Sequence, residues 1–159
     1  MTIVDGNNLL WAIQERFEDR EIATEIDLCR VLGRFFGATA EEGQVVFDGA
    51  GPVRKADFDT VANVEVIFAG LHKDSDSVIE EKIKANSAPR RLTVVSSDRR
   101  LRKAAALRKA TAVKSEDFWQ QVQKELRRRK PQRKEPQEKR EGLTESETER
   151  WMDLFDLDE

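Results

Sequence analysis

Thr2-Ile3-Val4-Asp5-Gly6-Asn7-Asn8 stands at the start of the chain. It is a short β-prone run that ends on a carboxylate at a turn, and two later stretches repeat the arrangement: Gln44-Val45-Val46-Phe47-Asp48-Gly49 and Thr93-Val94-Val95-Ser96-Ser97-Asp98. A further acidic cluster, Asp74-Ser75-Asp76, follows the apolar run Val64-Glu65-Val66-Ile67-Phe68 and opens a helical stretch. Apolar runs of this length alternating with helical patterns predict a parallel sheet. The carboxyl ends of all its strands share one edge, where open α/β sheets bind ligands. Aspartates far apart in sequence are thereby carried to one rim. Carboxylates gathered there repel each other unless a cation joins them. A divalent-metal site is the expectation, with phosphate-ester chemistry as its use.

The 159 residues suit one domain with some chain left over. Charged residues make up 37% and hydrophobic ones 38%, which allows a core beneath a very polar surface. The net charge of −3 hides a segregation: bases dominate from Lys124 to Arg140, acids from Glu141 to Glu159. A single cysteine, Cys29, rules out an internal disulfide and a multi-Cys zinc site. It lies among Leu28, Val31 and Leu32, where a buried, inert thiol is expected. A single histidine, His72, rules out a multi-His centre, so hard oxygen ligands and Mg²⁺ or Mn²⁺ remain. No apolar run is long enough to span a bilayer, and a strand beginning at Thr2 leaves no room for a signal peptide. A cytoplasmic protein is expected.

The pattern predicts strands near 2–5, 44–48, 64–69, 92–96 and 111–113. Helices are expected from Asn8, over 24–36 with Thr24 as cap and Gly37 as stop, over 75–85, over 98–109, and from a capping Ser115. Thr24 and Asp27 have capping-box spacing. This is a three-layer α/β/α domain over 1–128 with a central five-stranded sheet. A basic linker at 129–142, with Pro131 and Pro136, reads as disordered, and 143–159 as an acidic amphipathic helical segment with Trp151, Met152, Leu154 and Phe155.

Each aspartate also has a plain role as a helix N-cap, for which Asp98 is the clearest case, and Asp48 could simply fix its turn. Asp76 and Glu80, four apart, share a helix face, and Lys84 offers Glu80 a partner at the same spacing. Asp74 either caps that helix or reaches a metal through water. Asn7 and Asn8 form a turn or hold a carboxylate or phosphate in place, and Ser96 and Ser97 could do likewise. Arg54, Lys55, Lys73, Arg99, Arg100, Arg102 and Lys103 fall on the same rim, where an RNA backbone needs partners.

Val4-Asp5-Gly6-Asn7-Asn8-Leu9, Val45-Val46-Phe47-Asp48, Ser75-Asp76-Ser77-Val78-Ile79-Glu80 and Val94-Val95-Ser96-Ser97-Asp98-Arg99 together resemble the successive motifs of the NYN domains. These belong to the PIN-like nuclease superfamily, and the YacP-like branch is the nearest in pattern. The resemblance covers about residues 1–125. It implies a PIN-like sheet of order 3-2-1-4-5 and metal-dependent endoribonuclease activity. It implies Asp5, Asp76 and Asp98 as acidic metal-site residues, with Asn7 in support. Asp74 departs from the pattern, which usually has no acid two residues before the helix-opening Asp.

The functional expectation is an endonuclease for single-stranded RNA. Asp5, Asp76, Asp98 and Asn7 carry the site, with Asp74 as a further ligand candidate and Asn8, Asp48, Glu80 and Ser97 supporting. Arg54, Lys55, Lys73, Arg99 and Arg102 grip phosphates. One rival is a non-catalytic RNA-binding module on the same basic rim. A second is a phosphoacceptor receiver domain using Ser97 and Lys114, but its acceptor Asp belongs after strand three and Asp48 follows strand two. The basic linker could bind RNA or ribosomes, and the acidic segment could dock in a partner groove.

Overall fold

The computed structural model describes residues 1–53 and 55–128. The expected linker at 129–142 and the acidic segment at 143–159 lie outside them, as does Arg54. The elements run β1 (Thr2–Asp5), α1 (Gly6–Arg16), α2 (Glu25–Thr39), β2 (Gly43–Phe47), α3 (Ala56–Asp59), β3 (Val64–Phe68), α4 (Ser75–Ala85), a 3₁₀ turn (Pro89–Arg91), β4 (Thr93–Val95), α5 (Arg99–Leu107), β5 (Thr111–Val113) and α6 (Ser115–Arg128). All five strands are parallel, in the order β3-β2-β1-β4-β5. The expected topology is therefore present.

The period-2 alternation of each strand divides the core into two halves. Val4, Val45, Phe47 and Val95 face α1, α2 and α6 through Leu9, Ile13, Leu28, Leu32, Phe36, Phe118 and Val122. Ile3, Val46 and Val94 face α4 and α5 through Ile79, Ile83, Leu101 and Ala105. Central strands covered on both sides have no polar face, which explains their continuous apolar spelling. Cys29 is buried in the first half-core, and desolvation pushes its thiol up to about 12. Among the described residues no helix is long and apolar enough to cross a membrane.

Three local expectations change. Helix α2 does not stop at Gly37: it runs to Thr39, and Ala40 takes the left-handed turn at φ 57°. Gly37 is small for another reason, since a Cβ there would lie 2.6 Å from the Asn63 amide nitrogen. Lys84 is not the partner of Glu80, which Arg100 of α5 takes instead. Ser115 is the first residue of α6 and sends its hydroxyl to Asn8 rather than capping the helix. The capping box is present as spelled: Asp27 N–H donates to Thr24 Oγ1, and Thr24 N–H donates to Asp27 Oδ2.

Candidate active site

The sheet order sets β1 between β2 and β4, so the turns after these three strands adjoin. Asp5, the last residue of β1, is 4% exposed. Its Oδ1 accepts the Asn8 N–H at 3.4 Å, capping α1, and its Oδ2 accepts the Ser96 hydroxyl at 2.9 Å. Burial lifts the Asp5 carboxyl from 3.8 to about 6; the Ser96 hydrogen bond opposes this, and the charges of Asp76 and Asp98 add to it.

Asp76 lies in the first turn of α4 and is half-buried. Its carboxyl is also raised, by burial first and by the charge of Asp98 next, with Arg100 working the other way. Asp98 caps α5 through the Arg100 N–H at 2.8 Å, and its own N–H donates to Ser96 Oγ at 3.0 Å. Asp5, Asp76 and Asp98 thus come from three different turns and feel one another's charge. They do not form a closed ligand cluster: among the described residues no three acidic, His or Cys side chains are drawn tightly enough together to enclose an ion. Burial is the larger cause of the upward shifts of Asp5 and Asp76, and the neighbouring carboxylate charges add to it.

Asp74 caps the helix: its Oδ1 accepts the Ser77 N–H at 2.8 Å, and the Ser77 hydroxyl, followed by this N–H, holds its carboxyl below the usual range. Asp48 acts on the same helix end, its Oδ1 accepting the Ser75 N–H at 2.7 Å. Asn7 Oδ1 accepts the Asp48 N–H at 2.7 Å and so ties the end of β1 to the end of β2. Asn8 does the same on the other side, with Oδ1 accepting the Ser97 N–H at 2.9 Å and the Ser115 hydroxyl at 2.6 Å. Ser97 Oγ receives the Ser115 N–H at 3.0 Å and donates to Glu116 at 2.8 Å. The two asparagines are therefore braces between neighbouring strand ends.

Glu80 is gripped by Arg100 through two hydrogen bonds of 2.9 and 2.8 Å, and Arg100 also reaches Ser77 Oγ at 3.2 Å. Lys55 is exposed, with Nζ 5.8 Å from the Phe68 ring centroid. Lys73 pairs with Glu81 at 2.9 Å, an exposed bridge of small net worth. Arg99 is exposed on the first turn of α5. Arg102 differs: it is partly buried, and its Nη1 is enclosed with no hydrogen-bond partner among the described residues. A groove of about 590 Å³ between α2 and residues 60–63 contains none of the residues above.

The sequence did not single out Arg100 as the counter-charge of Glu80, nor Ser115 and Glu116 as members of the rim network. Ser115 follows β5 as Ser96 and Ser97 follow β4, and that repetition was the available signal.

Comparison with known proteins adds two findings. A family model described as the YacP-like NYN domain matches residues 2–156. Among solved structures, Rae1 (YacP) from Bacillus subtilis is 20% identical with a TM-score of 0.66, covering 99% of this chain and 92% of that one. A tryptophan-to-leucine mutant of the same protein is 23% identical with a TM-score of 0.60, covering 80% of this chain and 77% of that one. These structural likenesses speak to the fold. No curated protein matches.

Proposed function

The chain belongs to the YacP-like NYN domain family, a PIN-like nuclease family, and on that premise we propose that it is a metal-dependent endoribonuclease acting on single-stranded RNA. The observation that carries the reading is geometric: the buried carboxylate of Asp5 at the end of β1 shares one rim with Asp76 at the start of α4 and Asp98 at the start of α5, and feels both their charges. A structural cap alone has no use for such an arrangement, whereas a divalent cation relieves it. The donors are carboxylate oxygens, which suit Mg²⁺ or Mn²⁺.

Asp5, Asp76 and Asp98 would hold the ion, with Asp74 and Glu80 fixing α4 through its cap and through Arg100. When bound, such an ion supplies Lewis acidity at the phosphate and a water of lowered pKa. Ser96 orients Asp5 and Asp98 at once, and Asn7, Asn8, Asp48 and Ser97 keep the three turns in register. Lys55, Lys73 and Arg99 line the approach and neutralise flanking phosphates. Arg54 and the segments at 129–142 and 143–159 belong to the same proposal as phosphate, ribosome and protein contacts, in a cytoplasmic setting.

The test is cleavage of an end-labelled single-stranded RNA with Mn²⁺, comparing the wild type with Asp76→Asn and with a chelator control. Loss of product in the variant and the chelated sample is expected. Equal cutting by both proteins would remove the site. RNA binding that needs no metal and yields no product would favour the non-catalytic module. The receiver alternative is disfavoured by Asp48, whose carboxylate is already committed to the N-terminus of α4.

A further inference from the structure

Asn7 and Trp11 lie four residues apart on α1, a rise of about 6 Å, and so share a face. Trp11 is 52% exposed, and among the large exposed apolar side chains of the described residues (Met1, Trp11, Val53, Leu71 and Leu107) it alone is aromatic. It contributes little to the core, which Leu9 and Ile13 of the same helix enter instead. The ring is nevertheless braced. The Arg16 guanidinium sits 5.7 Å from its centroid. Arg16 is in turn held by Glu116 at 3.1 Å, and Glu116 accepts the Ser97 hydroxyl at 2.8 Å. Ser97 is the residue whose N–H Asn8 holds at the rim. A chain of polar contacts thus ties the edge of the acidic site to the cation beside an exposed indole.

We propose that Trp11, backed by Arg16, is a stacking platform for a nucleobase of the single-stranded RNA that crosses the acidic rim. The proposal rests on the RNA reading of the preceding subsection and adds the residue that receives a base rather than a phosphate. Single-strand binders combine aromatic faces with nearby cations in this manner, because every base offers a π-face. The indole is held at a fixed distance from the acids by a rigid helix, so the stacked base would set which phosphate lies over the site. Lys114, exposed at the end of β5 beside Ser115, is placed to accompany the backbone.

The experiment measures the anisotropy of a short labelled oligoadenylate, and of the same backbone made abasic, on the full chain in a chelating buffer where no cutting occurs. Trp11→Ala should weaken oligoadenylate binding about tenfold and leave abasic binding unchanged, while Trp11→Phe keeps most of the affinity. Binding of both probes by Trp11→Ala as by wild type overturns the proposal, and so does an equal loss for both. Cleavage with Mn²⁺ is followed separately. If Asp76→Asn cuts like wild type while Trp11→Ala loses base-dependent binding, stacking stands and the nuclease reading falls. If wild type cuts and Trp11→Ala binds normally, stacking falls alone. A wild type that binds neither probe overturns stacking, and cleavage with Mn²⁺ decides the nuclease reading by itself.

Discussion

Ser96 gives its hydroxyl hydrogen to Asp5 at 2.9 Å, and the same oxygen accepts the N–H of Asp98 at 3.0 Å. One small side chain just past the end of β4 therefore contacts both a carboxylate from β1 and the N-cap residue of α5. Replacing it by alanine leaves a buried carboxylate oxygen and a backbone N–H without that partner. Partners of this kind typically govern metal affinity by ten- to a hundredfold. Ser96→Ala should thus bind Mn²⁺ about tenfold more weakly by calorimetry, with an unchanged circular-dichroism spectrum. Unaltered affinity would show that Ser96 does not position the ligands.

The acidity of Asp5 makes a prediction about pH. Its carboxyl is near 6 in the folded chain and near 3.8 when exposed, so between these values the folded state holds the proton more tightly. Stability from this group is full below about 4 and is lost as pH rises through about 6. The difference amounts to roughly 3 kcal/mol at about 1.4 kcal/mol per pH unit. Glu80 and Glu116, held below their usual range, act in the opposite sense at the acid end. Comparison with Asp5→Asn isolates the effect: in a chelating buffer the variant should melt higher than wild type at pH 7.5 and no higher at pH 4. Mn²⁺ should raise the wild-type melting temperature more at pH 7.5 than at pH 5, and should not raise that of the variant. A pH-independent difference would refute the assignment.

Much of this arrangement was legible beforehand. Val45-Val46-Phe47 and Thr93-Val94-Val95 spelled strands covered on both faces, and Asp74 and Asp98 stood where helices needed caps. The order of the sheet came with the family motifs, because local patterns do not encode which strands are neighbours. What stayed hidden depended on contacts between distant segments. Nothing near Ser115 announces Asn8, from which it is 107 positions removed. Lys84 was the partner of Glu80 that helix spacing offered, but Arg100 crosses from α5 with a two-pronged grip that a single lysine charge does not match. Gly37 looked like a stop because glycine often is one, whereas here it makes room for Asn63. Trp11, which drew no expectation from the sequence, stands exposed on α1 while Leu9 and Ile13 of the same helix enter the core.

The Arg100 guanidinium hydrogen-bonds Glu80 and Ser77, while its backbone N–H is the one that Asp98 caps. The guanidinium charge pulls the Asp76 carboxyl downward against burial and the charge of Asp98, while Glu80 holds the side chain in place. Arg100→Ala should raise the Asp76 carboxyl and move the pH midpoint of Mn²⁺ binding upward. At pH 8, with the acids ionised, loss of a nearby cation should leave affinity equal or tighter; at pH 5.5 protons should compete better and affinity should fall. Titrations at the two pH values decide the matter, since a purely structural role for Arg100 would weaken binding equally at both.

Gly6 follows Asp5 at the point where α1 leaves the sheet. A Cβ on it would lie 2.5 Å from the Phe47 ring, closer than real side chains approach, and that ring is stacked on Phe68 at 5.7 Å. The ring belongs to β2 and is fully buried, so it has no solvent to retreat into. Gly6→Ala must therefore push the start of α1 away from β2. Overpacking of this kind costs about 1–3 kcal/mol. The same displacement carries Asn7 off the Asp48 N–H and changes the angle of Asp5. The variant should show a lowered urea midpoint together with weakened Mn²⁺ binding. Gly49→Ala, whose added Cβ meets nothing within 4 Å but whose φ of 84° strains any side chain, serves as a control that loses stability while keeping Asp5 in place. Equal losses of Mn²⁺ affinity in the two variants would show that the site responds to general destabilisation and not to the position of α1.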